Sequence, residues 1–259
     1  MKIVTFNLRC CWKGNEDKQN SFVHRAGLIY EKIMHELPDV IAFQEVVPKS
    51  VELLKRMLPE YEFFGSMRET NYNGEGLYTA FRKDKYALMT GDVFWLSPTP
   101  YVTASRFENQ SGCARICVLT KLRNKQTQET FRVMNVHLDH ISDEAQKLGL
   151  ECIYEYIKRH DCVDKQPTVI LGDFNATPAS ETIQSVYKQD WLFEATAKVV
   201  GTTYHSFGRV TDKKIDYIFI TQEWKNRVVD AYLWTDESCG IYLSDHYPVC
   251  VEITDNKGE

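Results

Sequence analysis

Apolar residues recur along this chain in two rhythms, and each predicts a different element. Nearly unbroken apolar runs at 3–8, 39–43 and 169–171 read as buried strands. Between the first two, Phe22, Ala26, Ile29, Ile33 and Leu37, with Tyr30 and Met34 beside them, return at helical spacing and predict a helix up to Pro38. Pro48 suits the first turn of a second helix that runs to about Met57. A third begins near Ser142, carries Glu144 in its first turn and repeats through Ala145, Leu148, Cys152, Ile153, Tyr156 and Ile157. A fourth falls near 180–187.

The middle of the chain is strand-rich, with extended patterns at 61–65, 77–82, 86–96, 115–122 and 130–138 separated by turn formers. Further strands are predicted at 215–220, about 228–234 and 248–253. Strands outnumber helices and mix local hairpins with helical crossovers. That points to an α+β sandwich of two stacked sheets with helices on their outer faces.

Size and composition narrow the class without changing this picture. The 259 residues are 43% hydrophobic and 26% charged, with no repeat or low-complexity run, so one domain over 1–253 is expected, with a frayed tail at 254–259. The chain opens on a strand pattern rather than a signal peptide, and no segment approaches the roughly 18 apolar residues of a membrane span. A cytoplasmic location without membrane insertion is therefore expected. The eight cysteines are scattered and include the adjacent pair Cys10-Cys11, which favours free thiols, and no C-x-x-C pair marks a zinc site. The net charge of −5 disfavours a protein that coats duplex nucleic acid.

Candidate chemistry appears where apolar strands end in polar residues. Asn7, Gln44-Glu45, His137, and Asp173 with Asn175 each close a strand; Asp216 lies inside one, and Ser244-Asp245-His246 precedes another. Strand alternation predicts that Asp173 and Asn175 share a face while Phe174 turns into the core. A carboxylate at Asp216 in an apolar strand needs a donor such as a histidine. Together these residues make a set for phosphoester hydrolysis. Glu45 and the Asn7 carbonyl suit Mg²⁺ or Mn²⁺, Asp173 would activate a water, and Asn175, His137 and His246 would donate to oxygens that gain charge.

The blocks TFNL (5–8), QE (44–45), NVHLD (135–139), GDFNATP (172–178), KIDYIF (214–219) and SDHYPV (244–249) resemble, in order, those of the endonuclease/exonuclease/phosphatase superfamily. The resemblance spans nearly the whole chain and implies a deoxyribonuclease I-like fold, a four-layer α/β/β/α sandwich of two mainly antiparallel sheets. It implies that Asn7 and Glu45 bind metal, that Asp173 orients water and that Asn175 and His137 contact phosphate. His246 matches the histidine on the scissile phosphate, oriented by Asp216. Arg115 is similar to an arginine near the phosphate in several members, and Glu75 to a carboxylate supporting the histidine at 137. Asp245 matches an aspartate near the metal, which requires that Asp245-His246 lie in a loop, since neighbours in a strand face opposite ways. Arg9 stands where some family nucleases carry an aspartate, which favours one main metal site.

The reading is a metal-dependent hydrolase of phosphate esters acting by direct water attack. Its substrate is nucleic acid, a nucleotide or small diester, or a phosphorylated inositol or lipid, and no protein partner is implied. Specificity is expected in the loops 71–76, 97–112 and 201–213. The rival, a non-catalytic binding or regulatory protein retaining the fold, calls for loss of Glu45, Asp173 or His246, and all three are present.

Overall fold

The apolar runs become the central strands of two sheets. The computed structural model describes residues 1–11, 17–72 and 74–254, so residues 12–16, Asn73 and the expected tail at 255–259 lie outside the described part. In chain order the elements begin with β1 (Lys2–Asn7), α1 (Phe22–Glu36), β2 (Val40–Val46), α2 (Pro48–Met57), β3 (Tyr61–Met67), β4 (Gly76–Arg82) and β5 (Tyr86–Trp95). They continue with β6 (Ile116–Asn124), β7 (Thr130–His137), α3 (Asp143–Asp161), β8 (Thr168–Asp173), α4 (Glu181–Tyr187), β9 (Leu192–Glu194) and β10 (Asp216–Thr221). β11 (Val228–Leu233), a short hairpin of β12 (Glu237–Ser238) and β13 (Ile241–Tyr242), and β14 (Val249–Ile253) follow.

One sheet has the order β11-β14-β1-β2-β4-β3 and the other β5-β6-β7-β8-β10-β9. Each contains one parallel pair, β1 with β2 and β7 with β8, and is otherwise antiparallel. A parallel pair needs a crossover, and α1 and α3 supply it. β1, β7 and β8 are buried at every position after the first or throughout, because helices cover one face and the other sheet covers the opposite one.

The core is correspondingly layered. Ile29, Ile33, Val51 and Leu54 pack α1 and α2 on the first sheet, and Leu150, Ile153, Ile157, Ile183 and Val186 pack α3 and α4 on the second. Ile3, Val40, Phe81, Val133, Val169, Leu171 and Ile218 fill the space between the sheets. The result is the expected α/β/β/α sandwich. The helix starts follow the caps: the Ser142 and Ser180 hydroxyls accept from the amides of Ala145 (3.1 Å) and Ile183 (3.2 Å). Among the described residues, no helix is long and apolar enough to cross a membrane. All eight cysteines are free thiols.

One polar seam crosses the apolar interface. Gln44 Nε2 donates to Asn135 Oδ1 (2.8 Å), and Asn135 Nδ2 donates to the carbonyls of Phe43 (3.1 Å) and Tyr78 (3.2 Å). Buried amides tolerate few arrangements, so this seam fixes how the sheets sit on each other two residues before β2 and β7 end. Strands β9, β12 and β13 were not anticipated, because two or three residues are too few to show a period.

Candidate active site

The ends of the two parallel pairs open at one edge of the sandwich. β7, β8 and β10 are in register there, with His137 opposite Asp173 and Asp173 opposite Asp216. Gly172 makes that register possible: at φ 147° a Cβ on it would stand 1.8 Å from the Val136 carbonyl oxygen. Asn7 ends β1 level with Gln44 on β2. The β2–β4 pairing then shifts between Phe43 and Val46, and Glu45, at φ 54°, leaves the ladder within this bulge. His246 comes from the loop before β14, pinned by a single bridge to Tyr204.

These side chains converge on one oxygen. Asp173 Oδ2 accepts from Asn7 Nδ2 (3.0 Å) and lies 3.6 Å from His137 Nε2 and 3.8 Å from His246 Nε2. Its other oxygen accepts the Asn175 amide (2.8 Å). Behind His246, the ring Nδ1 meets Asp216 Oδ2 at 2.9 Å, so the buried Asp216 has the imidazole partner it requires. Asn7 Nδ2 also donates to Glu45 Oε1 (3.0 Å), and the Cys10 amide donates to Glu45 Oε2 (2.9 Å).

The charges follow from burial and neighbours. Burial and the Asp216 charge push the Asp173 carboxyl up to about 7. Burial opposes the charged form of His246, yet Asp216 overrides it and holds the imidazolium well above the usual histidine range. His137 goes the other way: burial, then the nearby Arg115 and Arg68, keep it neutral. Burial alone would raise Glu45, but the Cys10 amide, Asn7, His246 and Arg9 hold it below its ordinary value. Among the described residues, three groups bring ligand-type atoms within 4.8 Å of one another: Cys10, Glu45 and Glu75; Glu45, His137 and Asp173; and Asp173, Asp216 and His246.

Several placements depart from the sequence reading. β8 stops at Asp173, and Asn175 adopts a left-handed conformation at φ 50°, so the two are joined by a side-chain turn and not by strand alternation. Phe174 is buried as expected. The Asn175 amide group donates to the Leu138 carbonyl (3.0 Å). Asn7 presents nitrogen, not its carbonyl oxygen, to the carboxylates. Its Oδ1 accepts the Arg9 amide (2.9 Å), and flipping the group would set two donors face to face.

Glu75 does not support His137. Its Oε2 pairs with Arg68 Nη2 at 2.8 Å, and burial together with the Glu45 charge raises its carboxyl. Asp245 does lie in a loop with His246, but it faces Arg9 (3.8 Å) and belongs to none of the three candidate metal groups among the described residues. Arg115 falls just before β6 and is buried, with Nη2 2.9 Å from His140 Nδ1 and Nε 3.8 Å from Asp139. Sequence reading passed over Arg68 and Cys10. Arg68 directly follows β3, so it carries the same strand-end signal as Asn7 and His137. Cys10 acts through its backbone, which no side-chain pattern reveals.

Comparison with known proteins bears on the family and the fold. The sequence matches the Endonuclease/Exonuclease/phosphatase family over residues 4–246. Among solved structures, an endonuclease/exonuclease/phosphatase from Bacteroides vulgatus is 28% identical with a TM-score of 0.89, over 98% of both chains. A functionally unknown conserved protein from Enterococcus faecalis is 29% identical with a TM-score of 0.86, over 98% of this chain and 99% of its own. The mannosyl-6-phosphatase Bt3783 of Bacteroides thetaiotaomicron, 23% identical over 98% and 99%, shares the fold at a TM-score of 0.85. No curated protein matches the sequence. With the family matched from β1 to the loop that carries His246, and the same sandwich found in its members, this chain belongs to the endonuclease/exonuclease/phosphatase family.

Proposed function

We propose that this chain is a divalent-metal-dependent phosphoesterase that hydrolyses its substrate by in-line attack of water, without a covalent intermediate. The convergence of Asn7, His137 and His246 on Asp173 Oδ2 carries this reading. At 3.6 and 3.8 Å from Asp173 Oδ2 the two ring Nε2 atoms are too far for hydrogen bonds to it, which leaves them for a phosphate oxygen. Asp173, the carboxylate on which these groups converge, orients the attacking water and takes its proton. His246, held charged and in one orientation by Asp216, donates to an oxygen that gains charge in the transition state. The Asn175 amide fixes the Asp173 carboxylate so that its second oxygen faces the water.

The donor set fits a hard cation. Glu45 and Asp173 offer carboxylate oxygens, and both Asp173 and Glu75 have raised pKa values, the mark of buried acids short of positive charge. The Cys10 thiol beside them is driven far up by burial and by Glu45, so it stays neutral and does not make a zinc-thiolate centre. Glu45 and Asp173 would hold Mg²⁺ or Mn²⁺, with Asn7 clamping the two carboxylates. When bound, the ion supplies Lewis-acid polarisation of the phosphoryl group and stabilises the leaving oxygen.

The test uses p-nitrophenyl phosphate and bis(p-nitrophenyl) phosphate with Mg²⁺ or Mn²⁺, with and without chelator. Turnover of at least one ester that chelator abolishes and metal restores is expected. Absence of metal-dependent turnover on both, and on single-stranded DNA and RNA, would contradict the proposal.

A further inference from the structure

Beside the carboxylates, the site carries buried nitrogens without hydrogen-bond partners. Of the eleven buried side-chain polar atoms lacking a hydrogen-bond partner among the described residues, four lie on three neighbouring residues: Arg68 Nε, Arg115 Nε and Nη1, and His137 Nδ1. Arg68 comes from the end of β3 in one sheet, Arg115 from just before β6 in the other, and Arg68, Arg115 and His137 are all under 10% exposed. The acids nearby are already engaged. Glu75 bonds only the Nη2 end of Arg68 (2.8 Å). Glu69 stands 3.8 Å from Arg68 Nε and accepts the Ala114 amide (3.3 Å). Asp139, 3.8 Å from Arg115 Nε, accepts from the Ser111 hydroxyl and from the amides of Ile141 (3.0 Å) and Ser142 (2.9 Å).

Leaving guanidinium N–H groups buried and unpaired is costly, and placing two guanidinium groups close together adds repulsion. Burial and then Arg68 lower the Arg115 pKa, and burial and then both arginines depress His137. An anion between them removes both penalties. A phosphomonoester above about pH 6 carries close to two charges on three non-bridging oxygens, whereas a diester carries one charge on two. A pair of planar forks from opposite sheets matches the former.

We propose that Arg68, paired across the sheets with Arg115, is a specificity-determining residue that receives the additional charged oxygen of a terminal phosphate, so that the enzyme prefers phosphomonoesters. This rests on the phosphoesterase reading. The test compares kcat/KM of wild type, Arg68→Met and Arg68→Lys on p-nitrophenyl phosphate and bis(p-nitrophenyl) phosphate with Mg²⁺ present. Arg68→Met is expected to lose about 10- to 100-fold on the monoester, as for one hydrogen bond between charged groups, and less than about 3-fold on the diester. Arg68→Lys should fall between wild type and Arg68→Met on the monoester alone. The wild-type ratio of monoester to diester rates should rise as pH passes about 6.

Equal losses on both esters, or none, would overturn the proposal. Because Arg68→Met strands the Glu75 carboxylate, the double variant Arg68→Met/Glu75→Gln is measured beside it, with thermal melts of each. Calorimetric binding of inorganic phosphate at pH 8 keeps this proposal separate from the activity itself. If neither ester turns over, the phosphoesterase reading fails, and phosphate binding still decides the role of Arg68. At least about 10-fold weaker binding in the variants is expected, and unchanged binding contradicts it.

Discussion

On the side of the site built by β8, β10 and the loop before β14, Asp173, Asp216 and His246 all have partners: Asn7 and the Asn175 amide hold the two Asp173 oxygens, and Asp216 holds His246. On the other side Arg68, Arg115 and His137 are just as buried yet keep ring and guanidinium nitrogens without partners. The difference fits the two tasks proposed for them. A group that transfers or stabilises a proton needs its orientation and ionisation fixed before substrate arrives, whereas a group that recognises an anion must keep donors for it. Both are set on strand ends that the β7–β8–β10 register and the Gln44–Asn135 seam hold in place.

The largest effect that would sharpen this division comes from Asp216→Asn. Freed from its carboxylate, His246 loses its fixed orientation and its raised proton affinity. We expect kcat to fall about 100-fold or more with KM nearly unchanged, measured on a generic ester. A change confined to KM would erase the division. Next is Gly172→Ala, which strikes both sides at once. A Cβ 1.8 Å from the Val136 oxygen at φ 147° forces β7 and β8 apart, and a loss of about 3 kcal/mol or more in urea unfolding is expected. A loss under about 1 kcal/mol would show that the register does not depend on this glycine.

The smallest effect belongs to a control far from the site. Burial opposes the Glu36 charge, but Lys32 (2.9 Å) and Lys2 (3.0 Å) hold its carboxyl at about 2. Because the folded value is depressed, the stabilisation is complete above the unfolded value of about 4.3 and disappears as pH falls through about 2. Glu36→Gln should therefore cost about 1 kcal/mol at pH 7 after solvent screening, with the difference shrinking below pH 4. Denaturant midpoints at pH 7 and pH 3 measure it, and activity should be untouched.

The strands and helices that carry the core were legible because each is long enough to show its period: the unbroken run of β8 and the Phe22, Ala26, Ile29 and Ile33 stripe of α1 needed no tertiary information. The site was legible where a polar residue ends an apolar run, as at Asn7, His137 and Asp173. It was not legible where conformation departs from the regular element. The left-handed backbone at Glu45 and Asn175, the amide orientation of Asn7 set by the Arg9 N–H, and the partner of Glu75 all depend on contacts between distant segments. The role proposed for Arg68 is of the same kind, since only the stacking of the sheets puts it beside Arg115.

The proposed reaction is a single displacement at phosphorus by a water that Asp173 activates. It is tested most directly by hydrolysing a substrate made chiral at phosphorus in ¹⁸O-labelled water, with wild type and Asp173→Asn compared at equal metal concentration. The account predicts inversion of configuration, one labelled oxygen in the phosphoryl product, and a rate about 1,000-fold lower in Asp173→Asn. Retention of configuration would indicate a covalent intermediate, and a near-wild-type rate in Asp173→Asn would place the water elsewhere; either result would contradict it.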